Sequence, residues 1–274
     1  MNKKLLVTLV AMAVLIGTDA VLLAYQPQTA LAKGQKAKFQ LPVNAVQVAD
    51  NLYNLGTAFD KKSGKQVEGY AFIHRKDGAA KSGTAKKIAI SCYGFLAKDA
   101  KWKDVPESWV VNPVNTRGLN SSFVFNTLTA GIAKWENAAA FNILGDGTAT
   151  DTTLVADTSA PDNQNEAYFA DISDPNTIAV TIVWGIFGGP TFNRHLVEWD
   201  QIYDDTTYGW SMSGEAGKMD FENITTHELG HSVGMGDLYN SNCFMETMYG
   251  YATFGETQKR DLNTGDIVGV NKLY

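Results

Sequence analysis

Two histidines and a glutamate in the last quarter of the chain have the spacing of a metal-binding helix. His227 and His231 are four residues apart, so a helix would place both imidazoles on one face, one turn apart and within reach of one ion. Glu228 follows His227 directly, and its carboxylate would project beside the ion rather than onto it. That position suits a base that takes a proton from a water molecule on the metal.

A glycine turn after the second histidine would return the chain to the same ion. Gly234 and Gly236 follow His231, and glycine ends helices because it adopts positive φ without a penalty. The turn would bring Asp237 to the metal as a third ligand. A bare His-Glu-x-x-His pattern also occurs on surface helices, but the added glycine and carboxylate make chance a poor explanation. His195 is the competing third ligand, and Asp237 is favoured because His195 lies on another predicted strand without a partner motif.

The pattern His-Glu-x-x-His-x-x-Gly-x-x-Asp over 227–237 resembles the zinc signature of the metzincin peptidases. Most of that family has histidine at the last position, and aspartate there is a feature of the snapalysin-like bacterial group. The resemblance is to the matrixin-like form and covers roughly Tyr93 to Tyr274. It is specific at the helix and the following turn, and general elsewhere.

Metzincins also place a methionine in a tight turn beneath the metal. Met248 is the predicted Met-turn residue. Met245 is its competitor and is less favoured because it lacks an adjacent tyrosine. Two departures from relatives stand out. The Pro-Arg-Cys-Gly latency motif of matrix metalloproteinases is absent around Cys92, which puts latency through a cysteine in doubt. Gly250 stands where astacin-like enzymes have a tyrosine that assists the oxyanion, although Tyr249 and Tyr251 are nearby.

The resemblance implies a fold, a cofactor and a reaction. The fold would be an α+β metzincin-like catalytic domain, with a twisted, mostly parallel sheet, long helices, an active-site helix and a Met-turn. Zn²⁺ would be held by His227, His231 and Asp237 with an open fourth position for water, as in catalytic sites. Glu228 would act as the general base in hydrolysis of peptide bonds in protein or peptide substrates.

Two other functions remain open at this level. One is a non-enzymatic zinc-containing envelope or binding protein, against which the base Glu228 beside an open coordination position argues. The other is a zinc hydrolase of non-peptide amide bonds, which the sequence does not exclude.

Several elements that position these residues can be predicted from patterns. A helix should run from Asn120 or Ser121 to about Ala138, and the metal-binding helix should be capped by Asp220. A last helix should span Thr264–Tyr274, capped by Thr264. Strands are predicted at four segments that are rich in β-branched and aromatic residues: Val67–Ile73, Ser108–Asn112, Thr177–Trp184 and Leu196–Tyr203.

Three of these regions carry further interpretations. The polar alternation of Leu196–Tyr203 suggests a half-buried edge strand that could pair with an extended peptide. Asp146–Asn165 is predicted to be a long loop whose carboxylates could hold Ca²⁺, with a plain solvated loop as the alternative. His74, at the end of an apolar strand, is interpreted as structural.

The N-terminus and composition indicate export. Lys3 and Lys4 precede the apolar run Leu5–Ile16, and Ala30-Leu31-Ala32 offers small residues for cleavage, so 1–32 is predicted to be a signal peptide. An uncleaved membrane anchor is the alternative, against which Asp19 argues. The chain would be secreted or otherwise extracytoplasmic. Its 274 residues carry a net charge of −6 without a basic cluster, which argues against nucleic acid as a partner.

The rest of the chain is predicted to have two parts. Residues 33–91 form a propeptide or an N-terminal accessory region, and 92–274 form the zinc metallopeptidase catalytic domain. Cys92 and Cys243 are expected to form a disulfide in an exported chain, with two free thiols as the alternative. The protein is expected to be a monomer.

Overall fold

The computed structural model describes residues 37–76 and 91–274. These residues fall within one compact unit, Leu31–Tyr274. The predicted signal peptide, 1–32, lies outside the described residues. Within the described ranges, no helix combines the length and the apolar character that a membrane span requires.

Most of the described strands join one large sheet, and a short parallel pair, β10 with β11, forms a second. In chain order the strands are β1 (Lys38–Phe39), β2 (Val46–Ala49), β3 (Leu52–Phe59), β4 (Gln66–Lys76), β5 (Trp109–Asn112), β6 (Gly147–Ala149), β7 (Asn165–Ile172), β8 (Thr177–Ile186), β9 (His195–Asp204), β10 (Trp210–Ser211), β11 (Met219–Asp220) and β12 (Tyr251–Ala252).

The large sheet is mixed, and its two halves differ in strand direction. Neighbouring strands follow the order β2-β3-β4-β8-β9-β7-β5-β6. From β9 to β6 the neighbours are parallel, whereas from β2 to β9 they are antiparallel. The predicted α+β class is confirmed. The prediction of a mostly parallel sheet holds only for the second half, because strands from the N-terminal region join β8 in the antiparallel direction.

The helices of the described chain are α1 (Ser121–Ala139), α2 (Phe221–Ser232) and α3 (Thr264–Leu273). The predicted start of α1 is confirmed, since the Asn120 side chain accepts a hydrogen bond from the Phe123 N–H at 2.7 Å. Its apolar stripe faces α2, and the buried Trp135 donates through Nε1 to the Thr226 carbonyl at 2.8 Å. This bond fixes the position of α2 along α1.

Apolar side chains form two clusters. The larger one contains residues of all three helices together with sheet residues such as Val183. The smaller one contains no helix residues and includes Val180, Ile182 and Trp184 of β8. Because side chains alternate along a strand, β8 contributes to both clusters, and it is buried on both faces, as its β-branched run predicted.

The strand predicted at Leu196–Tyr203 is present as β9, but the prediction of an edge position is wrong. β9 lies between β7 and β8 and is buried almost throughout. The alternation that suggested a solvent-facing side comes from Glu198 and Asp200, which lie with Asp157 in a buried acidic cluster. β9 therefore offers no free edge to an extended peptide.

Two predicted boundaries also need correction. The C-terminal helix is capped by Asn263 rather than Thr264, and the Asn263 N–H donates to Asp266 Oδ2 at 3.0 Å. The predicted loop Asp146–Asn165 contains the short strand β6, which pairs with β5. A three-residue strand with a glycine is too short to produce a readable alternation.

Candidate metal centre

Helix α2 carries both histidines of the sequence motif in a closed environment. Its predicted N-cap is confirmed, because the Asp220 side chain accepts from the Asn223 N–H at 3.0 Å. His227 and His231 are 0% and 1% exposed. Helical geometry places them one turn apart, and their rings lie 4.9 Å apart between centroids.

A tight turn follows α2 and returns the chain to the histidines. Gly234 has φ of +98°, which glycine adopts without strain. A Cβ at this position would lie 2.8 Å from the Ala100 carbonyl oxygen, so a larger residue would also collide. The Gly234 N–H donates to the His231 carbonyl at 2.9 Å, which ties the turn to the end of the helix. The turn brings the Asp237 carboxylate back to α2.

Hydrogen bonds to the backbone set which ring nitrogen of each histidine carries the proton. His227 Nδ1 lies 2.7 Å from the Thr247 carbonyl, and His231 Nδ1 lies 3.0 Å from the Met235 carbonyl. A carbonyl oxygen only accepts, so each Nδ1 is the donor. Each Nε2 therefore presents a lone pair, as in histidines that bind metals through Nε2.

These lone pairs converge with a carboxylate oxygen. Asp237 Oδ1 lies 3.2 Å from His227 Nε2 and 3.4 Å from His231 Nε2, and the three ligand atoms lie within 4.8 Å of one another. His227 Nε2 and Asp237 Oδ1 are buried and have no hydrogen-bond partner among the described residues. Three buried acceptors that face one point suit a bound cation, and two imidazoles with one carboxylate form a donor set typical of catalytic zinc sites.

The charge state of Asp237 fits this role. Burial by itself would raise the pKa of the Asp237 carboxyl, but in the metal-free chain the His231 and His227 imidazoles, when one of them carries a proton on Nε2, hold it well below its ordinary value. Its second oxygen, Oδ2, lies 2.8 Å from the Tyr239 hydroxyl. The carboxylate is therefore ionised and held in orientation by an outer hydrogen bond, as ligating carboxylates commonly are.

Glu228 lies beside this group with both carboxylate oxygens occupied. Thr181 Oγ1 on β8 donates to Oε2 at 2.5 Å, and His74 Nδ1 on β4 lies 2.8 Å from Oε1. Glu228 is 0% exposed. Burial raises the pKa of its carboxyl, and the nearby His227 and His231 reduce that rise.

Met248 lies directly beneath helix α2. A Cβ on Gly230 would stand 2.1 Å from Met248 Sδ, so the glycine allows the methionine to approach the backbone of α2. The Asp266 carboxylate accepts from the N–H groups of Thr247 at 2.7 Å and of Met248 at 3.1 Å, which fixes the turn. The competing Met245 is 44% exposed.

His195 lies apart from this group. Its Nδ1 is 2.7 Å from the Asn193 carbonyl, and His195 belongs to none of the described clusters of metal-ligating side chains.

The two cysteines form the expected disulfide. Cys92 and Cys243 are joined, with Cα atoms 5.3 Å apart, and the bond ties the start of the predicted catalytic domain to the loop before Met248.

Three side chains at the centre were not anticipated as site residues. Tyr239 follows Asp237 by two residues, and its contact with Asp237 could have been suspected from that spacing. Thr181 is one of several β-branched residues on β8, with nothing to distinguish it. His74 was interpreted as structural, yet its ring lies 4.0 Å from that of His227 between centroids.

Comparisons with known proteins identify the family of this chain. The family model for matrixin, a peptidase family, matches residues 108–274. The chain is 40% identical to human matrilysin over 65 residues, which are 24% of this chain and 23% of matrilysin. It is 29% identical to the metalloendoproteinase 2-MMP of Arabidopsis thaliana over 196 residues, which are 68% of this chain and 46% of the plant protein. The chain thus spans less than half the length of either relative, but the family model covers well over half of the chain, and the chain belongs to the matrixin family.

Proposed function

We propose that this protein is an exported, zinc-dependent endopeptidase. The observation that carries the proposal is the convergence of His227 Nε2, His231 Nε2 and Asp237 Oδ1 in a buried site next to Glu228. Membership of the matrixin family supports zinc as the metal and protein or peptide chains as the substrates. The plant relative is a metalloendoproteinase by name, which is in keeping with this proposal.

The chain's own residues would divide the work. A zinc ion held by His227, His231 and Asp237 would polarise the scissile carbonyl and lower the pKa of water to about 7. Glu228 would accept the proton of the attacking water on a carboxylate oxygen and return a proton to the leaving amine. Thr181, through its bond to Oε2, would hold the carboxylate in one orientation.

Two alternative functions, a protein with a structural zinc site and a hydrolase of non-peptide amides, differ from a peptidase in what they require of the site. A closed, structural zinc site would need a fourth ligand and would leave Glu228 without a purpose. A hydrolase of non-peptide amides would use the same centre on a different substrate, so only substrate choice separates it from a peptidase. The matrixin match favours the peptidase.

The test of the function is hydrolysis that depends on zinc. Purified chain should cleave casein or an internally quenched peptide, lose that activity with 1,10-phenanthroline, and regain it when zinc is added back, because the ion supplies the electrophile. A chain that holds zinc and leaves peptides intact while hydrolysing a non-peptide amide would contradict the peptidase proposal.

We also propose export by the segment 1–32, followed by a monomeric extracytoplasmic protein. The support is the basic start and apolar run of that segment, and the disulfide between Cys92 and Cys243, which is a bond typical of oxidising compartments. A membrane contact would follow only if the segment stayed uncleaved.

A second cation site, for Ca²⁺, is proposed at Asp157, Glu198 and Asp200. The three carboxylates lie within 4.8 Å of one another, where the loop before β7 meets β9. Glu198 and Asp200 are 0% and 1% exposed, and Glu198 Oε1 and Asp200 Oδ1 are buried with no hydrogen-bond partner among the described residues. Buried carboxylates that repel one another are stabilised by a bound cation, and oxygen donors of this kind suit calcium.

The cluster gives an expected dependence of stability on calcium and pH. In the metal-free chain, burial and the neighbouring Asp157 raise the pKa of Glu198 from 4.5 to about 9. A carboxyl whose pKa is raised by folding stabilises the fold while protonated, so stability should fall as pH rises from 4.5 towards 9. At pH 8.5, calcium at 100 times its Kd should restore about 2.7 kcal/mol, or roughly 5–10 °C in Tm.

Thermal melts of metal-stripped protein, with Ca²⁺ or Zn²⁺ added separately, would check this expectation. The variant E198Q/D200N should lose the calcium effect, and it should be less sensitive to pH because the repelling charges are gone. Asp151→Asn, an exposed position in the same loop, is the matched control and should keep the effect. Equal calcium shifts in the double variant and the control would place calcium elsewhere.

A further inference from the structure

The general base and the metal ligands are covered by one strand of the N-terminal region. Two side chains of β4 contact α2. His74 Nδ1 lies 2.8 Å from Glu228 Oε1, and the Phe72 ring stacks against the His231 ring, with centroids 3.8 Å apart and planes within 13°. Together with Thr181 they leave Glu228 0% exposed. A base in this state has no open face towards water or a substrate.

β4 holds this position as an extended strand of the large sheet. Along one side it pairs antiparallel with β8, with His74 opposite Ala179. On its other side it pairs antiparallel with β3, and its last residues pair in parallel with β12, the short strand that follows the Met-turn. The face of β4 that carries Phe72 and His74 runs past the metal ligands, and its pairing with β8 is the main-chain pairing by which an extended peptide adds to a strand.

The covering strand lies outside the part of the chain that carries the family match. The matrixin match begins at residue 108, whereas β4 ends at Lys76. All three proposed zinc ligands, Glu228 and Met248 lie within the match. β4 is therefore an addition to the catalytic machinery and not one of its recurrent parts.

His74 also has a ring nitrogen without a partner. His74 Nε2 is buried and makes no hydrogen bond among the described residues, although the ring lies against that of His227. His74, His227 and Glu228 offer ligand atoms within 4.8 Å of one another. His74 therefore closes the space between the base Glu228 and the nearest zinc ligand, His227.

We propose that β4 is an internal inhibitor of the peptidase, in which His74 and Phe72 occupy the place of substrate at Glu228 and the zinc ligands. This rests on the proposed zinc peptidase function. It gives the predicted propeptide, 33–91, a physical role: a molecule is latent while β4 is seated, and the activity of the full chain comes from the fraction of molecules in which a peptide substrate has taken the place of β4 beside β8. The long pairing with β8 makes the cover stable, so activation requires β4 to be displaced.

The test uses the full chain with His74→Ala, which removes the group on the base. The variant should hydrolyse an internally quenched peptide faster than wild type by on the order of tenfold or more, since the competent population rises. It should also lose zinc faster to excess 1,10-phenanthroline, at unchanged initial zinc content. His195→Ala is the matched control, a histidine remote from the centre, and should equal wild type in both measurements.

A second variant is needed because His74→Ala also leaves a cavity, which by itself would disturb the site. Gly69 lies on β4 against the Trp184 ring, and a Cβ there would stand 2.7 Å from that ring. Gly69→Val should push β4 from β8 and accelerate both hydrolysis and zinc loss without touching the metal centre. Agreement between the two variants would support displacement of the strand.

The outcomes separate this proposal from the function on which it rests. If His74→Ala hydrolyses peptide more slowly, or neither variant changes either rate, β4 is not an inhibitor, and a slower His74→Ala would make His74 a positioning residue for Glu228. If both variants release zinc faster but no form hydrolyses any peptide, the cover stands and the peptidase function fails.

Discussion

Replacing Glu228 with alanine is expected to lower kcat/KM for peptide hydrolysis by ~10² or more while zinc stays bound, because loss of a general base costs about 10²–10⁴. Glu228 is not one of the three converging ligand atoms, so its removal leaves the His227, His231 and Asp237 set intact. Glu228→Ala should be compared with a parent form of the chain that hydrolyses peptide, and zinc content should be measured by mass spectrometry in the same samples.

A matched control lies on the same helix. Glu222 is in the first turn of α2 and forms an ion pair with Lys134 at 2.7 Å near the surface. Surface ion pairs contribute about 0–1 kcal/mol to stability, so Glu222→Ala should change neither zinc content nor turnover. A Glu228→Ala variant that hydrolyses peptide at the rate of Glu222→Ala would contradict the role of Glu228 as the base.

The parts of the centre that could be predicted from the sequence depend on local geometry. The spacing of His227 and His231 fixes their relation on a helix, and a glycine at Gly234 fixes the direction of the turn, so Asp237 follows within a few residues. The same holds for α1, whose apolar stripe and Asn120 cap determine its start and its buried face. No long-range pairing enters these arguments.

The parts that could not be predicted depend on strand pairing between distant segments. His74 and Glu228 are 154 residues apart, and Thr181 and Glu228 are 47 apart, so their contacts exist only because β4, β8 and α2 are brought together. A lone histidine on an apolar strand carries no sign of the helix that it will meet.

The position of β9 was missed for a related reason. Alternation of Glu198 and Asp200 with apolar residues has the same appearance whether the polar side faces water or a buried cluster of carboxylates. The pattern fixes that the two side chains share a face of the strand, which is correct, but not what lies opposite that face. Only the approach of Asp157 from the loop before β7 makes the face a candidate cation site.

Asp237, the proposed third zinc ligand, is the site residue in which this chain differs most from the usual metzincin pattern, and its replacement should have the largest effect on metal binding. Asp237→Ala removes one of three ligand atoms and leaves two imidazole nitrogens, so zinc affinity should fall far more than the roughly 10–100-fold that loss of an outer partner costs. Competition with a chromogenic chelator would measure the affinity.

Two further variants allow the loss of zinc affinity in Asp237→Ala to be compared with smaller effects. Tyr239→Phe removes the hydroxyl 2.8 Å from Asp237 Oδ2 while keeping the ring, so it should weaken zinc binding by about 10–100-fold, as outer-shell partners do. His195→Ala, at a half-buried histidine bonded to the Asn193 carbonyl, should leave zinc affinity unchanged. The expected order of loss is thus Asp237→Ala first, Tyr239→Phe second and His195→Ala none. Full zinc binding in Asp237→Ala together with its loss in His195→Ala would overturn Asp237 as the ligand. Asp237 would then only accept a hydrogen bond from Tyr239 and would not contact the metal.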